Sequence, residues 1–250
     1  IEAGVLENPQ VAAIFGLHVD PFLDTGKIGF KPGPLMAAAD KFVVDIIGEG
    51  GHGAAPHQAV DAVVVAAQVV LALQSVVSRQ VDPLAPAVVS IGTIDGGNRY
   101  NVIADRVTLT GTIRTLNPVL RERIPELIQR LVRGVTSAYG ARFQFDYTRG
   151  YPVMINDPEM TDFARTAAAE ILGPDSVATI LEPSMGGEDF AYFLQQVPGC
   201  YAYLGTSRIG ATRRIPWHHP RFNIDEEALA IGAAYLAGTA ERFLLRHRGG

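Results

Sequence analysis

A repeated switch of hydrophobic period between Asp40 and Tyr147 constrains this chain more than any other feature. Apolar residues there alternate, take helical spacing, alternate through two further runs, return to helical spacing and alternate once more. Phe42, Val44 and Ile46 mark the first strand, Asp61–Arg79 reads as a helix, and Ala87–Ile94 and Arg106–Arg114 read as strands. Pro118–Tyr139 reads as the second helix, and Phe143, Phe145 and Tyr147 share one face of the last strand. Strand-helix-strand-strand-helix-strand is the order of the ferredoxin-like split βαβ unit. Asn117 before Pro118 is a strong helix start, joining a capping side chain to a preset φ. Pro125 removes a helical hydrogen bond, which predicts a kink or a late start there.

On both sides of this unit the pattern lengthens. Val11–His18 reads as a buried strand between Pro9 and the loop DPFLDTG, and Ile1, Val5 and Leu6 read as a helix tail stopped by Asn8 and Pro9. Downstream, helices are expected at Pro158–Leu172, Asp189–Gln196 and Glu226–Arg246, with a strand at Cys200–Gly205. The expected fold is α/β: one domain built from residues 1–39 and 148–250, interrupted by a ferredoxin-like insertion at 40–147. A chain of 250 residues is long enough for two domains.

Composition narrows the function classes. The net charge is −5 and the Lys and Arg residues are scattered, so no basic stripe is available for nucleic acid or anionic lipid. The most apolar stretch, Val60–Val77, is broken by Asp61, Gln68, Gln74 and Ser75, unlike a membrane span. The first ten residues lack the basic start and apolar run of a signal peptide. The lone Cys200 has no internal disulfide partner; it reads as a buried apolar residue and fits a reducing, cytoplasmic setting.

Five of the six histidines fall in three loop clusters: His18 at a strand end, His52 and His57 in GGHGAAPH, and His218 and His219 in WHHPRF. Imidazole is the commonest metal ligand and suits proton transfer near neutral pH, yet any one loop histidine is more often simply hydrogen-bonded. Gly51 and Gly53 would let the backbone turn and project His52 outward. His247, in a polar tail, reads as solvent-facing. In MGGEDFAYF, two glycines precede Glu188, Asp189 and a helix, which serves equally as a helix start and as a backbone wall for substrate. Arg106, Thr108, Thr110, Thr112 and Arg114 share one strand face, which is either solvated or, at Arg114, a clamp for a substrate carboxylate.

Together and in this order, GLHV, GGHGAAPH, the Asn-Val-Ile of NVIAD, GTIRT, MGGEDFAYF and HHPRF resemble the co-catalytic metallohydrolases of the aminoacylase and carboxypeptidase type. More specifically, they resemble the branch with hippurate hydrolases, N-acetyl-amino-acid deacetylases and auxin-conjugate hydrolases, over essentially the whole chain. The resemblance implies that His18 and His218 are metal ligands, with His219 at a non-ligating position. It implies that His52 stabilises the oxyanion of a neighbouring active site. Asn101 and Arg114 would hold the carboxylate end of the substrate, and Gly186 and Gly187 would line it. The 40–147 unit would be a lid and dimerisation domain, the remainder a partial catalytic domain.

The implied activity is hydrolysis of N-acyl amino acids by a divalent metal pair, zinc or manganese, in a cytoplasmic homodimer. The family's Cys-Gly-His-Asp-Gly-His segment and Glu-Glu pair, which supply the other ligands and the general base, are absent and are expected upstream of Ile1. By that reading the 250 residues alone are poorly active or inactive, and the alternative is a non-catalytic dimerisation or ligand-binding module. Two departures stand out: Ala104 replaces the usual proline after Asn-Val-Ile, loosening a turn, and Asp20 replaces an aromatic after GLHV, altering pocket polarity.

Overall fold

A computed structural model describes residues 1–247; the end of the polar tail, 248–250, lies outside the described residues. The chain forms two compact units, one of residues 36–153 with 185–188, the other of 1–35, 154–184 and 189–250. In chain order the elements are β1 (Ile14–Asp24), β2 (Ile28–Phe30), β3 (Gly33–Met36), β4 (Ala38–Ile47), β5 (Gly51–His52), α1 (Ala62–Ser75), β6 (Ala87–Gly96), β7 (Val102–Ile103) and β8 (Arg106–Thr115). They continue with α2 (Pro118–Ala138), β9 (Arg142–Tyr151), β10 (Met154–Asn156), α3 (Pro158–Leu172), β11 (Val177–Thr179), α4 (Ala191–Leu194), β12 (Gly199–Ser207) and α5 (Glu227–Arg246).

The unit around 36–153 is an antiparallel sheet of order β6-β8-β4-β9 with α1 and α2 on one face, the split βαβ arrangement. Alternation decides the faces: Phe42, Val44 and Ile46 of β4 and Val107, Leu109 and Ile113 of β8 enter a core completed by Val65, Val69 and Leu73 of α1 and Ile124, Ile128 and Val132 of α2. Asp61 caps α1 by accepting from the amides of Val63 and Val64, and Asn117 caps α2 through those of Val119 and Leu120. α1 ends at Ser75 and passes into a π-helical turn, Val76–Gln80, so the helix expected to Arg79 changes its winding first. α2 begins at Pro118 with Pro125 buried inside it, so the late start is not adopted.

One ion pair fastens this unit from within. Arg121, on the second turn of α2, reaches the fully buried Asp40 side chain with two hydrogen bonds of 2.8 and 2.6 Å. Tyr147 Oη and the Gly150 amide also donate to Asp40, at 2.6 and 2.9 Å, while Arg121 donates to the Gly150 carbonyl at 2.9 Å. Burial by itself would raise the Asp40 carboxyl, but the donors from Arg121, Tyr147 and Gly150 outweigh it and hold it below the usual range.

In the other unit a sheet of order β1-β12-β2-β11 combines parallel pairing (β1 with β12, β2 with β11) with an antiparallel β12–β2 contact. Ile28, Phe30, Ala202 and Leu204 pack against Met160, Ala164 and Ala168 of α3 and Ala228 and Tyr235 of α5. Cys200 is fully buried there, and its burial pushes the thiol up to about 12. Asn156, also fully buried, donates to the carbonyls of Lys31 and Tyr201 at 2.9 Å and accepts from the Tyr201 amide at 2.8 Å, joining β10 to β12.

Three local expectations are corrected. Residues 1–8 form turns and not the tail of a helix, because so short a run holds too few helical hydrogen bonds to offset its ordering cost. β1 continues through Pro21 to Asp24, with a register shift after Asp20, where a loop was expected. The helix expected at 189–196 is only the single turn Ala191–Leu194. Ala62–Gln80 and α5 are long and apolar enough to cross a membrane by length and composition, yet each lays a buried stripe on its own sheet.

Candidate functional site

Phe15 and Leu17 of β1 face the helix-covered core, so alternation sends His18 and Asp20 to the opposite side of the sheet. His18 meets Tyr203 and Trp217 edge-on, with ring centroids 6.5 and 5.8 Å away. Its Nδ1 lies 2.8 Å from the Val19 carbonyl oxygen. A carbonyl can only accept, so Nδ1 is the donor in this contact, the kind of backbone bond that orients a ligating imidazole. Asp20 is buried and accepts from the Phe22 amide at 2.8 Å; burial raises its carboxyl despite that bond and the nearby His18 and Arg214.

The indole Nε1 of Trp217 donates to the same Val19 carbonyl at 2.7 Å, which ties the WHHPRF loop to the strand end carrying His18. Trp217 was missed in the sequence reading, although a sole tryptophan beside a histidine pair was a usable signal. His218, exposed, has a φ of 62°, a left-handed backbone that is uncommon in a residue with a Cβ and concentrates at functional positions. His219 is engaged locally: its Nδ1 accepts from the Arg221 amide at 3.0 Å, so its neutral ring carries the proton on Nε2 and offers a donor there. No group of three or more His, Cys, Asp or Glu side chains suited to a metal ion occurs among the described residues. Two imidazoles fit part of a metal centre, since a catalytic ion keeps about three protein ligands.

In the unit of 36–153, β5 and β7 pair His52 with Val102, and the Gly53 amide donates to the Asn101 carbonyl at 2.9 Å, which brings His52 and Asn101 together. Gly51 and Gly53 do not use left-handed backbone; a Cβ on Gly53 would sit 2.9 Å from the Asn101 carbonyl oxygen, so close approach is what this glycine permits. His52 is exposed, and its Nδ1 accepts from the Ala54 amide at 3.0 Å. An amide can only donate, so Nδ1 accepts here and Nε2–H is left as the ring's donor.

Arg114 lies on the helix-free face of the sheet. Its Nε donates to Thr112 Oγ1 at 3.1 Å, and Thr112 in turn donates to the Asp40 carbonyl at 2.9 Å, so the guanidinium is braced by its own strand. Segment 185–188 runs beside it: the Ala37 amide donates to the Gly186 carbonyl at 2.9 Å, and a Cβ on Gly187 would stand 2.7 Å from Ala39 Cβ and 3.4 Å from Arg114 Nη1. Next to them is a pocket of about 480 Å³ whose lining includes Ala39, Lys41, Thr112, Arg114, Thr148 and Tyr151. Thr112 and Tyr151 were not singled out from the sequence; the alternation that put Thr112 on the face of Arg114 was the available signal.

The chain is 42% identical over 240 residues to N-acetylcysteine deacetylase of Bacillus subtilis (strain 168), covering 96% of this chain and 60% of that protein. It is 38% identical over 252 residues to the IAA-amino acid hydrolase ILR1-like 5 of Arabidopsis thaliana, covering 98% and 57%. The crystal structure of the Bacillus subtilis YXEP protein, described as a dinuclear metal binding peptidase from the M20 family, superposes with a TM-score of 0.77 at 36% identity, over 97% of this chain and 60% of that one. The chain thus spans about 60% of the length of these relatives. Matched over residues 1–242, it belongs to peptidase family M20/M25/M40.

Proposed function

We propose that this chain is the larger part of a metal-dependent amidohydrolase acting on N-acyl amino acids. The observation that carries the proposal is the fixed ring orientation of two candidate-site histidines: His18 Nδ1 faces the Val19 carbonyl at 2.8 Å, and His52 Nδ1 accepts from the Ala54 amide at 3.0 Å, which leaves Nε2–H as its donor. His18 and His218 would be the histidine ligands of a zinc or manganese pair. A bound metal pair lowers the pKa of a water and polarises the amide carbonyl. His52 would donate Nε2–H to the oxyanion, Arg114 would take the substrate carboxylate through its braced guanidinium, Asn101 would assist at that end, and Gly186 and Gly187 would line it. The relative named for N-acetylcysteine deacetylation supports an acetylated amino acid as substrate.

In this proposal residues 1–39 and 148–250 belong to the catalytic domain, and 40–147 act as a lid and dimerisation domain in a cytoplasmic homodimer. Dimerisation is supported by β6, which stands at the sheet edge, and by the apolar outer side of α1, where Val63, Val64 and Leu71 are 49%, 46% and 66% exposed. The buried free Cys200 suits a reducing compartment.

The test is turnover of N-acetyl amino acids with added zinc or manganese by the protein carrying this chain. His52→Ala should lower kcat on the order of 10²–10³-fold while metal content holds, whereas His18→Ala and His218→Ala should lose metal. Full metal loading in both ligand variants would overturn the assignment.

A further inference from the structure

The pocket beside Arg114 holds a second cation that the proposed function leaves unused. In the register of β4 against β8, Ala39 faces Arg114 and Lys41 faces Thr112; against β9, Lys41 faces Thr148 and Ala39 faces Tyr151. Ala39, Lys41, Thr112, Arg114 and Thr148 therefore share the helix-free face, and all of them line the pocket. Lys41 and Arg114 are diagonal neighbours on adjacent strands, with Cα atoms about 7–8 Å apart, and both have long side chains. Between them stand the small Ala39 and the hydroxylic Thr112, with Thr148 on the other side of Lys41.

The acids nearby do not neutralise Lys41. Asp45, four residues along on the same face of β4, accepts from Arg106 and Thr108 at 2.6 Å each. Asp40 is taken by Arg121, Tyr147 and Gly150. Asp146 stands opposite Val43 and makes no ion pair with Lys41 among the described residues. The pocket thus offers two separated cations joined by small and hydroxyl-bearing residues, which matches a ligand with two carboxylates on a short carbon chain.

We propose that this pocket selects N-acyl derivatives of acidic amino acids, with Arg114 holding the α-carboxylate and Lys41 the side-chain carboxylate. The proposal rests on the amidohydrolase reading for its ligand class, and it makes Lys41 a specificity residue. Glutamate and glutamine side chains are nearly isosteric, so the pair isolates the charge contributed by Lys41.

Titration calorimetry of the 250-residue chain with N-acetylglutamate and N-acetylglutamine, in wild type, Lys41→Gln and Arg114→Gln, decides the matter without requiring turnover. Wild type should prefer N-acetylglutamate by about tenfold, the increment of one charge-assisted hydrogen bond. Lys41→Gln should bring the ratio close to one, and Arg114→Gln should weaken both ligands. Equal binding by wild type, a preference that survives Lys41→Gln, or no binding of either compound overturns the proposal. An intact preference in the 250-residue chain, together with no hydrolysis of N-acetyl amino acids with zinc or manganese by the protein carrying this chain, would instead count against the amidohydrolase reading.

Discussion

At the scale of single residues, one densely hydrogen-bonded group is a pairing the sequence did not mark. Asp40 and Arg121 are 81 positions apart and share two charge-assisted hydrogen bonds inside a core. Removing one partner strands the other, so Arg121→Ala should cost about 3–5 kcal/mol of unfolding free energy in urea titrations. The Asp40 carboxyl is depressed in the fold, so its contribution is complete above the unfolded value near pH 4 and is lost as pH falls through the folded pKa. Unfolding measured from pH 5 downward should therefore depend less steeply on pH in Asp40→Asn than in wild type. Cys200, with its thiol pushed up to about 12 and no exposure, should resist a thiol-specific reagent at pH 8 until denaturant is added. Rapid labelling of the native protein would contradict that burial.

At the scale of elements, legibility followed period. α3 occupies Pro158–Leu172 as expected, and the four strands and two helices of the ferredoxin-like unit appear in the expected order, because alternation and helical spacing are local properties. The helix expected at 189–196 shrank to one turn because its sequence resembles a helix start and little follows to propagate it. β10 and β12 depend on a side chain instead: Asn156→Ala would leave the Tyr201 amide and two carbonyls short of partners and should cost about 1–3 kcal/mol. The segment 185–188 is held by close approach, so Gly187→Val should push Arg114 aside and weaken N-acetyl amino acid binding several-fold, measured against an unchanged circular dichroism spectrum.

At the scale of the whole molecule, ligand arithmetic governs activity. With no metal-suited group of three or more side chains among the described residues, the 250-residue chain alone should hold zinc or manganese weakly and hydrolyse N-acetyl amino acids poorly, as metal analysis and turnover assays would show. Robust metal-dependent turnover by the isolated chain would overturn this. The sequence by itself determined the α/β class and the order of the four strands and two helices of the ferredoxin-like unit, and it named most of the candidate residues, because period, caps and ordered motifs are written along the chain. Only the tertiary structure decided that Trp217 ties its loop to the end of β1 and that Lys41 stands diagonal to Arg114. Those facts depend on backbone groups and strand registers contributed by segments distant in sequence, and a linear pattern does not encode which of them will meet.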